Sequence, residues 1–169
     1  MSLDKVLATI DDNMPRATER LMDLLRIPSI STDPAYKGDV DRAADWLVAE
    51  LAALGATAEK RRTAGHPMVV GHIGEGKPHL LFYGHYDVQP VDPLNLWHRD
   101  PFDPVVEEGP KGPVIRGRGS SDDKGQMFAQ LKAVESLLAS DEGLGVNLKF
   151  LIEGEEEVSS LHLPAFVKA

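Results

Sequence analysis

Nine residues, GRGSSDDKG at positions 117–125, hold three glycines, two serines and two adjacent aspartates, and then run into an apolar helical pattern. Two neighbouring carboxylates are more than a plain turn requires, and three chemistries compete for them. A phosphate loop needs G-x-x-x-x-G-K-S/T, which is absent here and at residues 74–77. A nucleophile elbow needs G-x-S-x-G, which neither Ser120 nor Ser121 satisfies. Asp122, where the loop meets the helix, is then either an ordinary helix cap or a carboxylate presented by a rigid loop, with two oxygens free to bridge two cations.

Two further clusters lie where strands are expected to end. In GHYDVQP, residues 84–90, His85 and Asp87 are two apart as a strand runs out, so their side chains can point the same way. A carboxylate beside a histidine can accept one ring N–H and leave the other nitrogen for a metal. A half-buried histidine with a turn aspartate is the plainer alternative. In EGEEEVSS, residues 153–160, four glutamates fall within five positions after an apolar strand. An isolated run of this kind is usually a solvated loop. At a buried strand end, adjacent carboxylates repel unless a cation or a shared proton offsets them. Glutamates with different tasks, one on a metal and one holding a proton, answer that repulsion. The combined ligand set is nitrogen and oxygen without thiolate, which fits zinc, or manganese or cobalt in the same role. A bridging carboxylate implies two metals, a device that activates water against a carbonyl.

The elements that must position these groups follow from periodicity. Apolar residues from Val6 to Leu25 recur at three- and four-residue steps and predict a helix over residues 1–26, with Asn13 and Pro15 suggesting two segments or a kink. A second helix, capped by Asp39 or Asp41, places Ala44, Leu47, Val48, Leu51 and Leu54 on one face and stops at Gly55. Residues 67–73 read as a strand, 75–78 as a turn, and 79–84 as a strand buried on both faces. After a proline-rich loop, residues 105–108 and 113–116 flank a turn as a hairpin. A helix over residues 123–139 points Met127, Leu131, Val134 and Leu138 inward, and residues 146–152 form a last strand. Helices alternating with strands argue for an α/β fold, a sheet flanked by helices, whose strand-end rim is where ligands bind.

Bulk properties narrow the function. The 169 residues carry 18 Lys and Arg against 27 Asp and Glu, a net charge of −9, with no basic stripe. Nucleic acid and an anionic membrane surface are therefore poor partners. There is no cysteine, which removes disulfides, thiolate zinc sites and cysteine nucleophiles together. The amphipathic, acidic start is unlike a signal peptide, and no apolar run approaches the ~18 residues of a membrane span, so a cytoplasmic location is expected.

GHYDVQP, WHRDPFDP, IRGRGSSDDKG and LIEGEEEVSS, in this order and spacing, resemble the co-catalytic zinc metallopeptidase family. That family includes carnosine dipeptidases, bacterial dipeptidases, aminoacylase, carboxypeptidase G and succinyl-diaminopimelate desuccinylase, and the HYDVQP and EGEEE forms are nearest its dipeptidase branch. The resemblance implies a dinuclear zinc site with a bridging water that cleaves the amide bond of a small peptide. His85 would ligate one metal, Asp87 orient that histidine, Asp122 bridge both metals and Glu157 ligate the second. Glu156 would be the general base and then acid. A cis peptide is implied between Asp122 and Asp123, and Trp97 and Phe102 would serve packing near the site.

The resemblance also implies that residues 1–169 are the N-terminal part of a catalytic domain. A further acidic ligand, a final histidine ligand and an inserted lid or dimerisation domain would lie beyond Ala169, with homodimers formed by the longer protein. His162 does not match the family's histidine position. Two protein ligands per metal fall short of the three that catalytic zinc ordinarily takes, so these residues alone are expected to hydrolyse little. Three other readings stand beside this one: a catalytically dead domain that binds metal or a partner, an N-acyl-amino-acid deacylase of the same family, and an anion- or nucleotide-binding domain using residues 117–125.

Overall fold

The computed structural model describes residues 3–76, 78–139 and 144–169. Helix α1 spans Leu3–Leu25, α2 Lys37–Ala53, α3 Lys124–Leu138 and α4 Leu163–Lys168. Strands β1 (Thr57–Arg61), β2 (Met68–Ile73), β6 (Asn147–Glu153) and β3 (His79–His85) lie side by side in that order. Strand β2 is antiparallel to β1 and β6, while β3 and β6 run parallel. Strands β4 (Val105–Gly109) and β5 (Gly112–Arg116) form the expected hairpin. The architecture is the mixed α/β sheet with helices that the alternation implied.

The core forms where α2 packs on β1 and β2, α3 on β3, and α1 on α3. Val40, Leu47 and Leu51 of α2 meet Val69, Phe150 and Ile152 of the sheet and Met127, Phe128 and Leu131 of α3 in one buried cluster. Phe82 and Phe150 stack across the parallel pair with centroids 5.5 Å apart. Lys124, fully buried at the start of α3, donates to the carbonyls of Leu24 (3.1 Å) and Ile27 (2.6 Å), pinning the end of α1 to the loop that carries Asp122. Burial pushes this ammonium down to about 7.

Several local expectations are corrected. Helix α1 runs through Pro15 without a break into two segments. The missing N–H lies on an exposed stretch, and packing of the helix's C-terminal half outweighs the local penalty of about 3 kcal/mol. Asn13 caps nothing and instead donates to the Thr9 carbonyl at 2.9 Å. Neither Asp39 nor Asp41 caps α2. A 3-10 turn, Pro34–Tyr36, capped by Asp33, leads straight into it, and the two aspartates pair with Arg42 and Lys60. Strand β3 is not buried on both faces: with β1 it is one of the two outer strands of the sheet among the described residues, and Leu81 is 59% exposed. Of the turn expected at 75–78, Lys77 lies outside the described residues. Helix α4 forms but buries no side chain. Among the described residues no helix is long and apolar enough to cross a membrane.

Candidate metal centre

The parallel pairing of β3 with β6 sets His85 and Glu153 level as Cα partners, so both strands end at one rim. Beyond His85 the chain stays extended: Tyr86 N–H donates to Glu153 O (2.9 Å), Val88 N–H to Ser29 O (3.0 Å), and buried Ser29 Oγ to Tyr86 O (2.6 Å). Asp87 is thereby held rigidly, with its side chain fully buried. From β6 the chain passes Gly154, where any Cβ would meet the Tyr86 hydroxyl at 2.4 Å, and enters the 3-10 turn Glu156–Val158. From the other side, residues 117–123 fold back onto α3 through the bond from Gly125 N–H to Gly119 O (3.2 Å).

The two adjacent aspartates hold one residue from two sides. Asp122 Oδ1 lies 3.1 Å from Nε2 of the His85 ring, and Asp123 Oδ2 accepts the His85 backbone N–H at 3.0 Å. The peptide bond between them is cis, as the resemblance implied. Asp122 does not cap α3 and its side chain is 77% exposed at the rim. The other face of the His85 ring belongs to Asp87, whose Oδ1 is 3.4 Å from Nδ1 and whose carbonyl O is 3.2 Å away. The same carboxylate accepts the N–H of Glu156 (3.2 Å) and of Glu157 (3.1 Å). It therefore fixes both the histidine and the glutamate turn. Glu156 Oε2 reaches within 4.0 Å of His85 Nε2, and Gln89 donates to Glu157 Oε2 at 2.6 Å.

Donor atoms of His85, Asp122 and Glu157 all lie within 4.8 Å of one another. All five residues singled out from sequence thus converge on one rim. Asp123 and Gln89 were missed as contributors, since nothing in their local pattern shows which backbone or side chain they will reach. His162 stands apart, paired with buried Glu155 at 2.7 Å. Trp97 donates its indole N–H to Val91 O (2.9 Å), and the Arg118 guanidinium lies over its ring.

The charges are mutually dependent. Burial is the largest influence on His85 and works downward, but the hydrogen bond and charge of Asp87, with Asp123 and Glu156, carry the ring up to about 9. Burial, chiefly, raises the carboxyl of Asp123. It raises that of Glu157 too, with Asp122 and Asp87 adding to it and Gln89 opposing. A rim that gathers this much negative charge around one imidazole is suited to a cation, and its nitrogen–oxygen donor set is one that zinc, manganese or cobalt accepts.

Residues 81–168 match the model of peptidase family M20/M25/M40. The Cys-Gly metallodipeptidase of Schizosaccharomyces pombe is 35% identical over 181 residues, covering 100% of this chain and 37% of that protein. A solved structure of the Saccharomyces cerevisiae di-peptidase Dug1p superposes with a TM-score of 0.90 at 31% identity, over 99% of this chain and 37% of that one. An M20 family metallo-carboxypeptidase from Sulfolobus solfataricus gives 0.81 at 40% identity, over 89% and 33%. The chain thus spans a little over a third of the length of the curated relatives it matches.

Proposed function

Because the chain belongs to peptidase family M20/M25/M40, we propose that it forms part of a metal-dependent hydrolase that cleaves the amide bond of dipeptides. The observation that carries this reading is the approach of His85, Asp122 and Glu157 to within 4.8 Å at the strand-end rim, with Asp87 buried behind the histidine. In this reading His85, Asp122 and Glu157 would hold zinc, with Asp122 common to two ions and His85 and Glu157 serving one each. Bound there, the metal would supply Lewis acidity toward the scissile carbonyl and the attacking water. Two protein ligands per ion are fewer than the three of ordinary catalytic zinc, so binding by these 169 residues alone is expected to be weak.

The remaining steps are those of the chain itself. Asp87 meets His85 Nδ1 with its backbone carbonyl at 3.2 Å and its carboxylate at 3.4 Å, and so leaves Nε2 toward the rim. Glu156, at 44% exposure and 4.0 Å from that nitrogen, is open to water at the rim. It takes a proton from the attacking water and returns it to the leaving amine nitrogen. Glu157 stays put, because Gln89 holds its carboxylate and Asp87 its backbone.

The test is zinc bound per chain after dialysis, with Asp122→Ala as control, together with hydrolysis of Cys-Gly, a longer peptide and an N-acyl amino acid. Zinc retained at well under two ions per chain by the wild type and at less still by the variant, with slow cleavage of Cys-Gly above that of the other two, is the expected result. Equal zinc in both chains would overturn the ligand assignment. Cleavage confined to the N-acyl amino acid would overturn the dipeptide assignment.

A further inference from the structure

Among the described residues, Glu153, the last residue of β6, is as completely buried as Asp87. The chemistry above gives it no task, yet its carboxyl is bonded on one side only. Oε1 accepts the Tyr83 hydroxyl at 2.5 Å and the Ser160 hydroxyl at 2.9 Å, while Oε2 is buried with no hydrogen-bond partner. We propose that Glu153 is a positioning residue: through Tyr83 and Ser160 it clasps the turn bearing Glu156 and Glu157 shut against the strand end that bears His85. The inference rests on the reading of Glu156 and Glu157 as the working acids of the rim.

The route of the backbone makes such a clasp necessary. The chain leaves β6 at Glu153, passes through the 3-10 turn and reverses at Ser159 and Ser160, whose φ angles are 70° and 51°. The backbone bonds of the reversal run from Val158 and Ser160 N–H to Glu155 O and from Ser159 N–H to Glu156 O, all inside the turn. Asp87 fixes the N–H groups of Glu156 and Glu157, and Glu155 accepts the His66 N–H at 3.2 Å, so the entry of the turn is tethered. The bond from Ser160 to Glu153 returns the exit of the turn to the strand it came from. Tyr83 adds the third side: it lies two residues before His85 on the neighbouring strand, so a single carboxyl oxygen gathers β3, β6 and the turn. Two non-glycine residues in the left-handed region stay there only when the surroundings hold them.

Packing alone does not account for the residue. A carboxyl with one oxygen sealed from water and unpartnered is less favourable than an apolar side chain of similar size. What Glu153 adds is the acceptor that two hydroxyl donors share. The amide oxygen of glutamine can make the same two bonds, whereas alanine makes neither.

The test compares Glu153→Gln, Glu153→Ala, Ser160→Ala and Tyr83→Phe in the 169-residue chain. Amide exchange at Glu156 and Glu157 is followed by NMR without metal, and Co²⁺ affinity from its visible absorption. The clasp predicts that Glu153→Gln keeps both properties, while Glu153→Ala and Ser160→Ala lose protection at these two amides and weaken Co²⁺ binding by about tenfold or more. Tyr83→Phe should fall between. Protection elsewhere in β6 and α3 should stay unchanged in Ser160→Ala, which decides the matter should Glu153→Ala fail to fold. Unchanged exchange at both amides in Ser160→Ala, or loss in Glu153→Gln equal to that in Glu153→Ala, overturns the clasp. Absence of Co²⁺ binding in the wild type would overturn the metal reading instead, and amide exchange would still decide the clasp.

Discussion

Asp87 stands behind His85, its Oδ1 3.4 Å from the ring Nδ1, and the same carboxylate accepts the Glu156 N–H at Oδ1 and the Glu157 N–H at Oδ2. One buried side chain thus sets the relative position of the histidine and both glutamates. An asparagine here keeps one accepting oxygen but turns an NH2 toward a backbone N–H. Asp87→Asn is expected to lower Co²⁺ or zinc affinity by about 10- to 100-fold and stability by about 1–3 kcal/mol. Metal titration and urea unfolding measure the two, and unchanged affinity would separate Asp87 from the site.

Glu50 of α2 offers a test far from the rim. It accepts from Arg20 of α1 at 2.7 Å and from Lys132 of α3 at 2.5 Å, so one buried carboxylate ties three helices together. Burial is the largest single influence and would raise its pKa, but the hydrogen bonds and charges of Lys132 and Arg20 together outweigh it, and the group ends below 4.5. A folded value below the unfolded one means that the stabilisation is complete above 4.5 and lost as pH falls through the folded value. Glu50→Gln should lower stability at neutral pH by about 1–3 kcal/mol, less than a fully buried pair because Arg20 is partly solvated. The gap between variant and wild type should narrow on acidification below 4.5. A gap independent of pH would show that the charge of Glu50 contributes nothing.

The same elements show what local pattern reveals. The candidate ligands were legible because His85, Asp122 and Glu157 each sit in a motif at an element boundary, where the chain's own periodicity marks the strand or helix end. Strand β1 was not legible. Its residues, Thr57–Arg61, carry no apolar alternation, and it becomes a strand because β2 offers an antiparallel partner. The apolar run of β3 was misleading for the same reason: periodicity reports hydrophobicity and not whether a neighbour lies on the far side. Glu153, Asp123 and Gln89 act through partners 7 to 70 residues away, and only the fold reveals which.

Two glycines in helices should respond oppositely to one substitution. At Gly38 in α2 a Cβ meets nothing within 4 Å, so Gly38→Ala should gain about 0.5–1 kcal/mol from helix propensity. At Gly125 in α3 the Cβ would stand 2.0 Å from the Ser120 carbonyl oxygen. That carbonyl belongs to the loop presenting Asp122, so Gly125→Ala should lose stability by about 1–3 kcal/mol and weaken metal binding. Thermal unfolding of the two variants side by side checks the sign at each position. Equal behaviour would mean that the loop yields without consequence.

Asp122 and Asp123 are neighbours with separable tasks. Asp122 is exposed, with its side chain 3.1 Å from the ring of His85, whereas Asp123 is tucked against Gly84 and holds the His85 backbone. Asp122→Ala should therefore abolish metal binding and leave unfolding within about 0.5 kcal/mol of wild type, as for an exposed side chain. Asp123→Ala removes an acceptor from a backbone N–H and should lower stability by about 1–3 kcal/mol. Asp123→Asn should restore most of it, since the amide oxygen accepts the same N–H. Calorimetry and a cobalt titration on the three variants give the comparison. Metal loss as complete in Asp123→Asn as in Asp122→Ala would move Asp123 from support of His85 into the ligand set itself.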